Sequence, residues 1–160
     1  MTKQEIYDYL TAQGISYEIT EHEAVFNMAE LDSVSLPYPD CDAKNLFVRD
    51  DKKRNYYLIT VKGDKRVDLK EFRKKYGLRP LSFASADELM AVMGLIPGAV
   101  TPLGILNDEE HKVTFYLDSA FMGGLAGIHP NDNTATVWLK AEDLVELVKK
   151  HGNAVNMVEL

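Results

Sequence analysis

The sequence of 160 residues contains a single cysteine, Cys41. One cysteine excludes an internal disulfide, and this usage is typical of proteins that work in a reducing cytoplasm. The chain also has no apolar run near the roughly 18 residues that a membrane span requires. Its first residues begin an amphipathic segment and lack the pattern of a signal peptide. We therefore expect a cytoplasmic protein without a membrane partner.

Several common catalytic patterns are missing as well. There is no glycine-rich phosphate loop, no dinucleotide fingerprint and no nucleophile elbow. The four histidines, His22, His111, His129 and His151, lack the spacing of metal ligands, and one cysteine cannot complete a zinc site. Cys41 lies in a proline-rich, acidic stretch, which favours a bystander over a nucleophile. We expect neither a metal nor a cofactor.

Hydrophobic residues make up 46% of the chain, enough to fill one core but not two of ordinary size. We expect a single domain over residues 1–160. Apolar periodicity predicts helices at residues 2–13, 68–76, 85–94 and 141–150, and Asn27 could begin a short one. Strand-like segments lie at residues 15–20, 46–48, 56–61, 80–84, 112–118, 134–139 and 155–158, with a strand end at 126–130. The pattern indicates an α/β fold with a mixed sheet.

Charge is distributed unevenly along the chain. The net charge is −7, but residues 44–79 contain 13 basic and 5 acidic residues, a net charge of +8, which leaves −15 for the remainder. A basic third on an acidic body is typical of a protein that binds a polyanion from one side. A solvated helix face together with a basic hairpin tip would give the same composition, so both interpretations stay open.

An amine and a carboxamide, Lys44 and Asn45, stand at the head of the apolar segment 46–48. The polar stretch 49–55 has the length of a hairpin loop, and the β-branched and aromatic segment 56–61 follows it. The pair would then lie where a central strand enters the sheet, from which side chains can reach a cleft. The alternative is that Asn45 caps a turn and Lys44 is solvated.

Residues 95–104 combine two prolines and two glycines with apolar side chains. This composition excludes a regular helix or a central strand, yet it is too apolar for a mobile surface loop. We expect a buried, rigid loop that shapes a pocket. Gly98 would allow close approach of a ligand, and the amides of Ala99, Val100 and Thr101 would be free to point at a ligand oxygen if the turn geometry permits it. A tight structural connection is the alternative.

His129 precedes Pro130, which restricts its backbone to extended conformations, and glycines at 123, 124 and 127 leave space in front of it. A lone histidine is as a rule a hydrogen-bonded structural group, and that interpretation stays open. An amine, a carboxamide, free amides and an imidazole together suit the binding of a phosphate or carbonyl and the positioning of a water.

Three stretches in this order resemble the YbaK/ProX family of aminoacyl-tRNA deacylases, in particular its free-standing prolyl-tRNA editing members. They are residues 44–47 with the segment 56–61, residues 98–102, and His129-Pro130 followed by residues 133–136. The resemblance extends from His22 to the C-terminal strand. The chain departs from the family pattern at Asn27, which is often a threonine, and at Asn131-Asp132, which are usually apolar.

The resemblance implies a mixed, mostly antiparallel β-sheet flanked by helices, without metal or cofactor. It implies hydrolysis of the ester that joins a wrong amino acid to proline tRNA, with alanine as the first expectation and cysteine or serine as alternatives. The partner would be the acceptor end of mischarged tRNA(Pro), with prolyl-tRNA synthetase as a further candidate. Neither DNA nor a membrane is expected.

The resemblance also implies roles for individual residues. Lys44 is similar to the essential amine near the ester or the terminal phosphate, Asn45 to its supporting contact, and His129 to the residue that lines the water and substrate position. The loop that binds the aminoacyl carbonyl and limits side-chain size would comprise Gly98, Ala99, Val100, Thr101 and Pro102. A non-catalytic module that holds a tRNA acceptor end is the alternative from another functional class.

Overall fold

The computed structural model describes residues 1–24, 37–38, 41–63 and 65–160. The helix expected to begin at Asn27 lies outside the described residues. Within the described ranges, no helix is long and apolar enough to cross a bilayer. The α-helices there are α1 Lys3–Ala12, α2 Leu69–Lys75, α3 Ala86–Met93 and α4 Ala141–His151, with 3₁₀ helices at Pro102–Asn107 and Ser119–Phe121.

The strands of the described part form two sheets. Their bounds are β1 Tyr17–Glu21, β2 Ala43–Asp50, β3 Tyr56–Lys62, β4 Leu81–Phe83, β5 Val113–Asp118, β6 Leu125–Ile128, β7 Ala135–Lys140 and β8 Val155–Val158. The larger sheet has the order β4-β2-β3-β5-β8, and the smaller has the order β1-β7-β6. Pairing is parallel only for β3 with β5 and for β5 with β8. The expected α/β class with mostly antiparallel strands is therefore confirmed, although the strands are divided between two sheets.

Helix boundaries follow from local capping signals. Thr2 and Glu5 form a capping box at the start of α1, and Ser85 and Glu88 form another at the start of α3. Each box satisfies backbone N–H groups that the first turn of a helix leaves unpaired. Gly94 ends α3 in the left-handed region with φ 65°, which glycine adopts without strain.

Two apolar clusters cover opposite faces of the larger sheet. The large core cluster joins α1, α3 and α4 to one face of both sheets, through residues such as Phe47 and Leu58 of the larger sheet and Val137 of the smaller. The second cluster packs Phe72 of α2 against the other face of the larger sheet, next to Leu46. Because side chains alternate along a strand, neighbouring residues of β2 contact different clusters.

The two sheets meet just before β2. Asp42 forms an isolated parallel bridge with Gly127 of β6, and the Gly127 amide donates a hydrogen bond to the Cys41 carbonyl at 2.7 Å. The pairings of the larger sheet bring the start of β2 and the ends of β3, β5 and β8 to this same side. We call this side the junction end; the hairpin loop between β2 and β3 lies at the opposite end.

Substitution of Gly127 should damage this junction. A Cβ at Gly127 would lie 2.3 Å from Cζ3 of the buried Trp138. We expect Gly127→Ala to lower the free energy of unfolding by about 1–3 kcal/mol, because the indole or the bridge must move. Gly124→Ala is the matched control, since its Cβ would meet only the Phe121 carbonyl oxygen at 3.6 Å. Urea denaturation measures both variants, and equal stabilities would contradict the packing role of Gly127.

Candidate active site

Lys44 is the second residue of β2 and lies opposite Val61 of β3. Its side chain is half-buried and shares the face of β2 that carries Leu46, away from the large core cluster. Among the described residues, no acceptor lies within hydrogen-bond or ion-pair distance of its Nζ atom. A half-buried amine without an internal partner is available to an acceptor on a ligand.

His129 follows β6 at a position equivalent to that of Lys44 in β2, when both are counted from the bridge between Asp42 and Gly127. Lys44 comes two residues after Asp42, and His129 comes two residues after Gly127, the partner of Asp42 in the parallel bridge. Strand alternation from that bridge directs both side chains to the same face, opposite the large core cluster. From this alternation, continued one residue past the end of β6, we infer that Lys44 and His129 face the same side of the junction end.

The His129 ring has a defined hydrogen-bonding state. Its Nδ1 atom lies 2.9 Å from the Ala135 carbonyl oxygen, which can only accept, so we assign the proton to Nδ1 and a lone pair to Nε2. Burial lowers the pKa of His129 below its usual value, and the neighbouring His22 adds to this effect. At neutral pH the ring can therefore accept a hydrogen bond from a water at Nε2.

Asn45 lies on the other face of β2, since it follows Lys44 directly along the strand. Its Oδ1 atom accepts a 2.6 Å hydrogen bond from Oγ1 of Thr60, the fully buried residue opposite it on β3. Asn45 thus lies within a strand and does not cap a turn. It ties β2 to β3 beside Lys44, and the two side chains do not point to a common side.

The loop after α3 starts with a tight turn. The Ala99 amide donates to the Ile96 carbonyl at 3.1 Å, across Pro97 and Gly98, and Gly98 has φ 91°. Proline followed by a glycine of positive φ is the pattern of a type II turn. The expectation of a free amide at Ala99 is therefore wrong, because turn closure uses that amide.

The second half of the loop is buried and partly ordered as a 3₁₀ helix. Thr101 is fully buried, and its hydroxyl accepts a hydrogen bond from the Leu103 amide at 3.3 Å, with Pro102 as the first helical residue. Among the described residues, the amides of Val100 and Thr101 have no acceptor. Val100 packs against the large core cluster, so this loop lies on the Asn45 side of the sheet.

The basic charge of residues 44–79 is divided between the two ends of the larger sheet. The hairpin cations Lys52, Lys53 and Arg54 lie at the far end from Lys44. Lys62 and Arg66 lie at the junction end, and neither forms an ion pair within the described part of the chain. Lys52, Lys53 and Arg54 likewise form no ion pair with the described residues, so the polyanion and the solvated interpretations both stay open.

Sequence reasoning missed the residues that hold the predicted side chains. Thr60 could have been recognised, because a threonine in an apolar strand of a hairpin can pair across it with a polar residue. The partners of His129 gave no local signal, since they come from β7 and from the residue after β1. Among the described residues, no group of three or more metal-ligating side chains is present.

A family model of the aminoacyl-tRNA editing domain matches residues 22–147. The chain belongs to the aminoacyl-tRNA editing domain family. It is 40% identical over 159 residues to the prolyl-tRNA editing protein ProX of Acetoanaerobium sticklandii, covering 99% of this chain and 97% of that protein. It is 34% identical over 156 residues to the prolyl-tRNA synthetase associated domain-containing protein 1 of Mus musculus, covering 94% and 92%.

A solved structure supports the same fold. It is described as a candidate trans-editing enzyme for prolyl-tRNA synthetase, and it superposes with a TM-score of 0.72 at 21% identity, covering 99% of this chain and 96% of that chain. Membership in the editing family confirms the resemblance seen in the sequence, and with it the class of aminoacyl-tRNA deacylase.

The hydrogen bond between Asn45 and Thr60 should couple the two residues energetically. We expect a coupling free energy of about 1 kcal/mol in a double-mutant cycle of Asn45→Ala and Thr60→Val, measured by urea denaturation. Asn45→Ala combined with Thr114→Val on β5 is the control cycle, and its coupling should be near zero. Equal coupling in the two cycles would show that the bond does not hold Asn45.

Proposed function

We propose that this protein is a trans-editing hydrolase that removes a wrong amino acid, alanine in the first place, from tRNA(Pro). One feature supports the proposal: within the described part of the chain the Lys44 amine has no partner, and strand alternation from the Asp42–Gly127 bridge puts it on the same face as the His129 imidazole. The 40% identity to a prolyl-tRNA editing protein over nearly the whole chain supports proline tRNA as the carrier.

The reaction adds water to the carbonyl carbon of the ester and breaks the bond between that carbon and the ribose oxygen. An ester is already activated, so orientation of the water and stabilisation of the oxyanion are sufficient. His129 accepts a hydrogen bond from the attacking water through Nε2, and Lys44 balances negative charge at the ester or the terminal phosphate. A preorganised donor to the developing negative charge, the role proposed for Lys44, contributes about 2–4 kcal/mol to transition-state stabilisation.

The loop of residues 98–102 completes the proposed site. The amides of Val100 and Thr101 are candidate donors to the aminoacyl carbonyl, and Pro102 with the Gly98 turn gives the loop a rigid shape. Lys44 is only the second residue of its strand, so a ligand bound around the start of β2 can contact both faces of the sheet. In this arrangement Asn45 supports Lys44 indirectly, through Thr60.

Discrimination between amino acids has to come from exclusion. One methylene contributes only about 1–3 kcal/mol as an attractive contact, whereas a rigid loop rejects a larger ring by steric clash. Alanine fits such a site, and cysteine is the alternative of similar size.

Deacylation assays test the activity directly. Alanyl-, cysteinyl- and prolyl-tRNA(Pro) serve as substrates, with Lys44→Ala beside the unchanged protein. We expect the alanyl ester to be hydrolysed fastest, and Lys44→Ala to lower kcat/KM about 100-fold or more while tRNA affinity changes little. Lys149→Ala, an exposed cation of α4, is the control. If the unchanged protein hydrolyses none of the esters and Lys44→Ala lowers tRNA affinity, the binding module is favoured instead.

The substrate itself can supply the proton path. A lowered pKa makes His129 a weak base, which suits positioning of the water more than full removal of its proton. We infer that the vicinal 2′-hydroxyl of the terminal ribose relays a proton: it donates its own proton to the departing 3′-oxygen as the C–O bond breaks, and it takes up the proton that the attacking water releases. A substrate ending in 2′-deoxyadenosine should therefore react slowly in the same assay, and hydrolysis at full rate would refute this role.

Salt dependence of tRNA binding tests the junction end as the polyanion surface. Lys62→Gln combined with Arg66→Gln should weaken binding and reduce the slope of log K against log salt by about 1–2. Lys52→Gln combined with Arg54→Gln removes the same charge from the far end of the sheet and should leave the slope nearly unchanged. Equal effects of the two pairs would argue against an oriented tRNA at the junction end.

A further inference from the structure

His22 follows β1 directly and belongs to no part of the site predicted from the sequence. Its ring lies edge-on to the ring of His129, with centroids 6.2 Å apart and planes inclined by 65°. The two imidazoles are therefore direct neighbours in the fold.

The His22 ring is itself fixed by two hydrogen bonds. Its Nδ1 atom lies 2.8 Å from the Glu23 carbonyl oxygen, which can only accept, so the proton of the neutral ring is on Nδ1. Nε2 then accepts a hydrogen bond from the Thr136 hydroxyl at 2.9 Å. With this arrangement both ring nitrogens of His22 have partners, so the ring has no lone pair left for a substrate.

Both imidazoles are held by consecutive residues of one strand. Ala135 of β7 binds His129 through its carbonyl group, and Thr136 binds His22 through its hydroxyl group. The His22 amide also donates to the Thr134 carbonyl at 2.9 Å. The distance between the two rings is therefore set by the backbone of β7.

We propose that His22 is a positioning residue for His129, which fixes the ring of His129 with Nε2 facing the substrate and keeps that ring neutral. The role rests on the proposed function, in which His129 orients the attacking water. Loss of His22 should leave His129 free to rotate and easier to protonate.

Charged groups around the pair do not replace this role. Asp132, in the turn between β6 and β7, favours a proton on His129, and the turn residue Thr134 donates to its carboxylate. Lys3 of α1 pairs with Glu21 of β1 at 3.0 Å, so their charges largely offset each other. If His22 carried a proton, its positive charge would disfavour protonation of His129. This effect would act against that of Asp132, which favours protonation of His129.

Nuclear magnetic resonance of the full chain tests the positioning without any substrate. The ring nitrogens and carbon-bound protons of His129 are titrated in the unchanged protein, in His22→Gln and in Thr136→Val, which keeps both rings but removes the hydroxyl bound to His22. We expect the pKa of His129 to rise in His22→Gln and its preference for the Nδ1 proton to weaken, with a smaller change of the same sign in Thr136→Val. Dispersed amide spectra establish that each variant is folded.

His151→Gln is the matched control. His151 stacks edge-on with His111, with ring centroids 5.3 Å apart, and so reproduces the geometry of the pair elsewhere in the fold. Its substitution should leave the titration of His129 unchanged. An unchanged His129 in folded His22→Gln would overturn the proposal.

Kinetic measurements on His22→Gln distinguish the positioning role of His22 from the proposed function of the protein. In an active enzyme, His22→Gln should lower kcat for the alanyl ester about tenfold with little change in KM, less than the roughly 100-fold that a misplaced reacting group can cost. The acid limb of the pH profile should move to higher pH with the pKa of His129. A changed His129 titration with unchanged kcat would overturn the role in catalysis. Absence of hydrolysis by the unchanged protein would refute the proposed function, while the magnetic resonance result would still decide whether His22 positions His129.

Discussion

The bridge between Asp42 and Gly127 is the contact on which the candidate site depends. It joins the two sheets, which also share the large core cluster, and residue 127 can lie this close because it has no side chain. The indole of Trp138 occupies the space that a Cβ there would need. By fixing β6 against the start of β2, the bridge also places Lys44 and His129 at equivalent positions along the chain, so a packing requirement in the core bears on the geometry of the candidate site.

Because side chains alternate along β2, neighbouring residues of this strand lie on opposite faces of the sheet. Lys44 faces the junction surface, while Asn45 turns toward the large core cluster and bonds to Thr60. A charged amine can stay at the surface at small cost, whereas a carboxamide on the buried face needs a partner. The pair that looks like one motif in the sequence thus consists of one side chain at the surface and one side chain tied to the neighbouring strand.

Local signals explain which parts of the fold could be predicted. Capping boxes such as Ser85 with Glu88, and the apolar alternation of β3, act within a few residues, and the predicted helices and strands follow them. The division into two sheets and the contact of His22 with Thr136, 114 residues apart, depend on long-range pairing that no window of sequence contains. The amide of Ala99 was wrongly expected to be free because the turn across Pro97 and Gly98 closes on it.

In the proposed mechanism the protein supplies neither a covalent nucleophile nor a strong base, so catalysis would depend on the geometry of the site. His129 is buried enough that its pKa falls, which weakens it as a base but keeps it neutral and able to accept a hydrogen bond at Nε2. In the proposed mechanism, the contribution of His129 then depends on the orientation of its ring, because a weak acceptor orients the water only when the water lies on its lone pair. Consecutive contacts from Ala135 and Thr136 to two neighbouring imidazoles supply that direction. The smaller sheet, remote from the basic end in sequence, thereby fixes the orientation of a residue of the proposed site.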